Sequence, residues 1–267
     1  SLQEENGHLI CVFCMTIFEL EKEKGLLRFA RVTDINEADD ESNIRDYFKK
    51  WPYFYYFISN VFGHLWWSGV SPKEFLKRFD YGKINLNIGS GPRIIDKKVI
   101  NIDIFPYKGV SIVADISNLP FKDLTVDRVL CDTVLEHVKD PVEVVREVNR
   151  VLSKSGLAYF TVPFLYPFHS SPSDYGRWTH EGLRKLMDDF EIEEIGVYAG
   201  PFSSLTVWLS YMFASIFSFG SLTLYWLLVN LSMFLFFPLK FLDIFAARLP
   251  FAVNISSVLY VIVRKKH

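Results

Sequence analysis

Cysteine is scarce in this chain, neither sign of charge dominates, and between Ile195 and Leu239 charged side chains are absent altogether. Each shortage excludes something. Three cysteines in 267 residues are too few for a disulfide scaffold, so a reducing compartment is the default. Lysine and arginine number 29 against 31 acidic residues, a net charge of about -2. No basic patch laced with aromatics stands outside the tail Arg264-Lys265-Lys266, which argues against a nucleic-acid partner. Internal repeats and low-complexity tracts are also missing. With 50% hydrophobic and 22% charged residues, the composition is too apolar for disorder and rich enough for a large core. Aromatics make up 16%, including 25 Phe and 13 Tyr, and a membrane is one place where so many rings are buried.

Residues 1–50 are polar, with an acidic cluster from Glu37 to Glu41 and the pair Cys11-x-x-Cys14, and show no sustained helical or strand period. From Trp51 to Trp67 the chain turns strongly aromatic, and Ser71-Pro72 then predicts a capped helix to Phe79. Short apolar runs follow: Ile84 to Ile88, Val99 to Ile102, Val110 to Val113, Val126 to Leu130 and Leu157 to Val162 read as strands buried on both faces. Asp140-Pro141-Val142-Glu143 reads as a helix start, with Val144, Val145, Val148, Val151 and Leu152 at helical spacing and Ser155-Gly156 as the stop. A further helix is expected from Thr179 to about Asp189, and strands at Glu191 to Tyr198 and Ser256 to Val263. Strands alternating with helices predict an α/β fold with a doubly wound, mostly parallel sheet.

The chemistry concentrates at the ends of these strands. Asn85-Leu86-Asn87-Ile88-Gly89-Ser90-Gly91-Pro92 is an apolar strand entering a Gly-x-Gly turn, where a ligand can press against backbone. Ile94 stands where a dinucleotide fingerprint wants a third glycine, and no Walker lysine follows, so the ligand expected here lacks a pyrophosphate. Asp103, Asp115 and Asp132 each close a predicted strand, which in a parallel sheet brings all three carboxylates to one crevice. An acidic residue ending the second strand is the usual partner of a ribose diol.

The segments Asn87 to Gly91, Asn101-Ile102-Asp103, Ala114 to Phe121, Val126-Asp127, Leu135-Glu136-His137-Val138 and Glu147 to Leu152, in that order, resemble the class I S-adenosylmethionine-dependent methyltransferases of the type 11 kind. The resemblance covers roughly residues 83–162 and implies a seven-stranded Rossmann-like sheet with S-adenosylmethionine as cofactor. It implies that Asn87, Gly89, Ser90 and Gly91 wrap the methionyl and adenosyl parts and that Asp103, with Ile104, holds the ribose. Asp115 with Ile116 would contact the adenine, and Asp132 with Thr133 would lie near the methionine end. Two departures are plain: Asn87 replaces the family's usual acidic residue, and the interval from Gly91 to Asp103 is shorter than the usual spacing of about 20. The first crossover helix must be very short or missing. Pro167-Phe168-His169 and Asp174 to Leu183 look like a segment found in a subset of methyltransferases, some of it associated with glycan or lipid-linked pathways, in which His169, Asp174, Tyr175 and Arg177 would line the acceptor pocket. His137, His169, Tyr175 and Arg177 are therefore the catalytic candidates, either histidine suiting a base by intrinsic pKa. Cys11-x-x-Cys14 resembles half of a zinc ribbon whose second half is absent, so a degenerate ribbon without metal is expected.

The charge-free stretch divides at Phe219-Gly220-Ser221 into two apolar pieces of helical length. Read as a helical hairpin inserted before the last strand, with Trp208, Tyr211, Tyr225 and Trp226 at the interface and Lys240 and Arg248 flanking, it predicts contact with the cytoplasmic face of a membrane. A pair of buried helices or an oligomer interface is the other reading of the same stretch. The expected organisation is a ribbon-like appendage (1–50), an aromatic lead-in (51–82), a methyltransferase domain (83–200 and 256–267) and the hairpin (201–255). The expected function is methyl transfer to an amphipathic, glycan or lipid-linked acceptor, the alternative being a non-catalytic adenosyl-binding membrane adaptor.

Overall fold

Short runs of β-branched and aliphatic residues pair side by side in the computed structural model because each is too short and too evenly apolar to hide its faces alone. The structure describes the backbone of four strands within residues 2–29 and, with side chains, residues 65–66, 68–79, 84–169 and 173–266. In chain order the strands are β1 (Leu2–Glu5), β2 (His8–Cys11), β3 (Ile17–Glu21), β4 (Leu26–Phe29), β5 (Asn85–Ile88), β6 (Ile100–Asp103), β7 (Ile112–Val113), β8 (Val126–Asp132), β9 (Leu152–Pro163), β10 (Phe190–Ala199) and β11 (Val258–Lys265). They form one sheet in the order β1-β2-β3-β4-β7-β6-β5-β8-β9-β11-β10.

From β7 to β10 this is the expected Rossmann-like methyltransferase sheet. β7, β6, β5, β8 and β9 run parallel, and β11 lies antiparallel between β9 and β10. Beyond β7 the sheet continues into the antiparallel meander β1 to β4, which joins it through a parallel β4–β7 pairing. Sequence reading finds no strand period in that region. The Cys14 half of the expected ribbon, and most of the aromatic run from Trp51 to Trp67, lie outside the described residues.

Among the described residues the α-helices are α1 (Pro72–Arg78), α2 (Pro141–Val151), α3 (His180–Leu186), α4 (Pro201–Phe217), α5 (Leu222–Phe236) and α6 (Asp243–Ala246). Their starts follow the capping rules: Ser71 accepts from Glu74 N–H, Asp140 from Val142 and Glu143 N–H, and Thr179 from Gly182 N–H. α2 stops earlier than its sequence suggests. Leu152 takes an extended backbone conformation and pairs with Val126, so Ser155-Gly156 falls inside β9 rather than ending a helix. Val144, Val145, Val148 and Val151 of α2 bury against Leu86, Val129 and Phe160 in the main core. No helix lies between β5 and β6, which accounts for the short spacing there.

The hairpin leaves after β10 and returns to β11. α4 is about 26 Å long at 17 residues, and the turn at Phe219 (φ 48°) and Gly220 (φ 81°) reverses the chain into α5. Gly200 gives α4 no side-chain cap; Asp243 from α6 supplies one, accepting from Phe202 and Ser203 N–H at 2.8 Å each. Lys240, expected at an interface, is instead buried, its ammonium 5.5 Å from the centre of the Phe241 ring. Trp66, the one described member of the aromatic run, packs edge-on against Phe241 with centroids 5.0 Å apart and donates its N–H to Ser203 Oγ.

Asp140→Ala removes the acceptor for two orphan amides of α2 and is expected to cost about 1 kcal/mol, read as a lower midpoint in thermal unfolding.

Candidate cofactor and acceptor site

β5 delivers its last residue, Ile88, to a turn in which Gly89 (φ 64°) and Gly91 (φ 53°) both hold left-handed backbone. A Cβ on Gly89 would stand 2.5 Å from Val134 Cγ1, whereas one on Gly91 would meet nothing within 4 Å. The first glycine is needed for packing, and the second leaves open space above its backbone. Asp103, at the end of β6, fastens the turn: its Oδ2 accepts from Gly91 N–H at 2.8 Å and its Oδ1 from Phe105 N–H at 2.9 Å. Burial pushes this carboxyl up, and the amides of Phe105, Gly91 and Ile104 offset part of that. With three amides on its two oxygens, the carboxylate keeps one further acceptor position.

The turn opens onto a cleft of about 220 Å³ lined by Asn87, Gly89, Ser90, Gly91, Arg93, Ile95, Asp132 and Thr133. Asn87, where an acid is usual, is tied to its neighbour strand by donating to Asn101 Oδ1 at 3.0 Å. Asp132 accepts from Thr161 Oγ1 at 2.6 Å and from Arg93 at 2.8 Å across the cleft. Thr133, with φ 55°, donates its N–H to Thr161 Oγ1 at 2.8 Å. Asp103 stands behind the turn. Asp115 is exposed in an Asx-type turn, accepting from Ser117 N–H and Oγ. Asp103, Ile104, Asp115 and Ile116 are not in the cleft lining.

Two partners escaped sequence reading. Arg93 stands just past the glycines, where a missing crossover helix would have started, and Thr161 is a hydroxyl within an apolar strand. A third device explains why Glu147 and Arg150 recur in the resembling segment. Glu147 Oε1 accepts from Leu119 N–H at 2.7 Å, and Arg150 donates to the carbonyls of Leu119 and Phe121. These bonds latch the 114–121 loop to α2, which positions Asp115 and Ile116. Arg150 also pairs with Glu147 and Asp123 at 2.6 Å, contacts that raise its already high pKa further.

On the acceptor side, the turn after β8 (Leu135–His137) and the 164–177 loop meet. His137 and His169 stand edge to face with centroids 5.1 Å apart. Glu136 is fully buried, its carboxylate 3.8 Å from His137 Nε2 and 3.7 Å from His169 Nε2. Arg177 is committed to closing the loop: it forks onto both oxygens of Asp174 and donates to the carbonyls of Tyr166, Pro167 and Gly176. That guanidinium and the His169 amide outweigh burial and hold the Asp174 carboxyl below its usual range. Tyr175 donates its N–H to Glu136 O at 2.6 Å and leaves its side chain exposed at the rim.

A second cavity, of about 550 Å³, lies against the hairpin. Trp208, Tyr211, Met212, Tyr225 and Trp226 line it together with Pro167 and Phe168, the two residues before His169.

Sheet order and glycine turn define an α/β sheet of the methyltransferase class, and residues 93–160 match the family model described as a methyltransferase domain, type 11. That class binds S-adenosylmethionine. The chain is 31% identical over 130 residues to an uncharacterized protein of Methanocaldococcus jannaschii, MJ0638, a match spanning 42% of this chain and 57% of that protein. Among solved structures it is similar to a SAM-dependent methyltransferase of Thermotoga maritima, with 16% identity, a TM-score of 0.47 and coverage of 84% of this chain and 100% of the other. It is also similar to Haemonchus contortus phosphoethanolamine N-methyltransferase 2 in complex with S-adenosyl-L-methionine, with 16% identity, a TM-score of 0.45 and coverage of 84% and 60%.

Gly89→Ala forces a side chain into left-handed backbone and against Val134. It is expected to destabilise the protein by about 2–4 kcal/mol, measured by chemical denaturation.

Proposed function

We propose that this protein is an S-adenosylmethionine-dependent methyltransferase, held at the cytoplasmic face of a membrane, that methylates an amphipathic or lipid-linked acceptor. The residues in and beside the cofactor cleft fit the adenosyl ligand: open backbone at Gly91, polar groups at Asp132 and Thr133, and, bonded to the Gly91 amide from outside the lining, the Asp103 carboxylate. When bound, the sulfonium supplies an electrophilic methyl group to a nucleophile in line with it. The chain's own contribution is orientation. Asp103 accepts from a ribose hydroxyl, Arg93 and Asp132 fix the methionine end, and the latched loop carrying Asp115 and Ile116 borders the base. The acceptor's reacting group is handled where His137 and His169 converge, with Tyr175 at the rim and Arg177 holding the loop in shape.

The observation that carries the acceptor class is the apolar cavity that runs from the hairpin to Phe168, next in sequence to His169. An acyl or polyprenyl tail in that groove would place its polar head at the histidines. The hairpin's own pattern supports membrane contact, because it is inverted relative to a helix packed in water. α4 buries Ser203, Ser204, Thr206, Ser210 and Ala214, and exposes Leu205, Trp208, Met212, Ile216 and Phe217. Small residues toward the protein and large apolar ones outward is the arrangement of helices in lipid. Among the described residues one segment, Leu222–Ala246, is long and apolar enough to cross a membrane, while α4 is shorter.

Calorimetric titration with S-adenosylhomocysteine should show one site in the intact protein and at least tenfold weaker binding in Asp103→Ala; no binding by the intact protein overturns the enzyme reading. The raised Asp103 carboxyl gives this affinity a pH dependence of defined sign. The ionised form accepts from the ribose, so affinity falls as pH drops through a midpoint above the ordinary 3.8, and Asp103→Asn should lose that inflection.

Phe219 and Leu222, at the hairpin tip, are 88% and 68% exposed. The intact protein should co-sediment with phosphatidylcholine vesicles, and the Phe219→Glu/Leu222→Glu variant should shift to the supernatant. Equal partition of the two would remove the membrane from the proposal.

A further inference from the structure

Glu136 presents an electrostatic problem that the methyl-transfer reading leaves unsolved. Its side chain is fully buried, and neither carboxylate oxygen has a hydrogen bond. Burying a carboxylate in this state is costly unless a cation offsets it. Among the described residues, the basic groups within 4 Å of its Oε1 are the Nε2 atoms of His137 and His169, at 3.8 and 3.7 Å, too far for a hydrogen bond.

The tautomers follow from the other ring nitrogens. His137 Nδ1 lies 2.5 Å from the carbonyl of Ser173, which can only accept, so that nitrogen carries the proton. His169 Nδ1 lies 3.3 Å from the Pro167 carbonyl and 3.4 Å from Asp174 Oδ2. The nearby Arg177 Nη2 spends its two hydrogens on shorter bonds, 2.6 Å to Asp174 and 2.8 Å to Pro167, so it does not claim that nitrogen. In both rings Nδ1–H is anchored to oxygen and the Nε2 lone pair is free, facing the same carboxylate. Three lone-pair donors thus converge with no hydrogen among them, and their ligand atoms all lie within 4.8 Å of one another.

We propose that Glu136, His137 and His169 bind a divalent transition-metal ion. Two ligands each about 2.1 Å from a shared ion stand about 3.0–4.2 Å apart, depending on the angle between them, and both carboxylate–imidazole separations fall in that range. Anchoring of Nδ1–H on carbonyl and carboxylate oxygen is the outer-shell arrangement that orients histidine ligands. A neutral nitrogen pair with one carboxylate suits Zn²⁺, Fe²⁺ or Mn²⁺ over the oxygen-seeking Mg²⁺ and Ca²⁺. The imidazoles are 15% and 25% exposed while Glu136 sits at the bottom, so the cup is open to an incoming ion. Three protein ligands leave room for an oxygen of water or, resting on the methyl-transfer reading, of the acceptor. In this assignment the two histidines act as ligands rather than as free bases.

The full-length protein is titrated with Co²⁺ alone, with no cofactor present, and followed by its visible spectrum. One equivalent bound with a nitrogen and oxygen donor spectrum is expected, at least tenfold weaker in Glu136→Gln and in His169→Ala. Glu136→Gln keeps the side chain's shape, and near-ultraviolet circular dichroism checks that it folds. No uptake by the intact protein, a thiolate spectrum, or unchanged affinity in a folded Glu136→Gln overturns the proposal. Cobalt uptake without S-adenosylhomocysteine binding would sink methyl transfer and leave the metal site standing; the converse would do the reverse.

Discussion

The direction of β10 decides where everything else in this molecule can sit. β11 is antiparallel both to β9 and to β10, which makes β10 parallel to β9 and sends its end to the same edge of the sheet as the ends of β5, β6 and β8. A connection leaving there emerges beside the glycine turn and not on the far side of the sheet. The backbone fixes the return as well: Phe164 and Leu165 N–H donate to Ser257 and Ser256 carbonyls, and Ser257 N–H donates to Ala199 O. Ser204 of α4 then donates its hydroxyl to Leu165 O. The apolar hairpin and the loop that carries His169 are therefore one packed unit.

That unit also accounts for Asp243. A carboxylate buried in an apolar hairpin is otherwise hard to sustain, but here it meets two amides at the start of α4, where the helix dipole favours negative charge. Tying α6 to α4 holds the two ends of the insertion together, and the large side chains of both helices are left to the outside. The hairpin reaches outward while its base stays rigid.

Much of this was legible in the sequence, and the parts that were not share physical causes. The central strands were readable because burial on both faces demands continuous apolar runs, and the helix starts because capping needs particular side chains at particular positions. The strand-end positions of Asp103 and Asp132 were readable because the apolar runs before them set where β6 and β8 stop. The meander β1 to β4 was not, because its strands carry Glu4, Glu5, His8, Glu19, Glu21 and Arg28 among their apolar residues and so lack the continuous pattern of a buried strand. Lys240 was misplaced since a lysine at the end of an apolar helix is normally interfacial, and only the packing of α4 shows it to be covered. Glu136 drew attention only as part of a resembling segment. Its meeting with His169 depends on a loop more than thirty residues away.

The absent first crossover helix changes how the cofactor end must work. A helix beginning after the glycine turn would point its positive end at an anionic group; among the described residues none begins there. The turn is held instead by a carboxylate, with Asp103 spending one hydrogen bond on Gly91 N–H, and the positive charge at the cleft is the side chain of Arg93 bridged to Asp132. A side chain can swing where a helix terminus cannot. Asp132 holds Arg93 with one oxygen and Thr161 with the other, so the guanidinium at the cleft is tied through Asp132 to β9. The β8 end carries directly into Glu136 and His137, so Asp132 of the cleft lining and these two residues of the acceptor side sit on one short continuous segment of backbone.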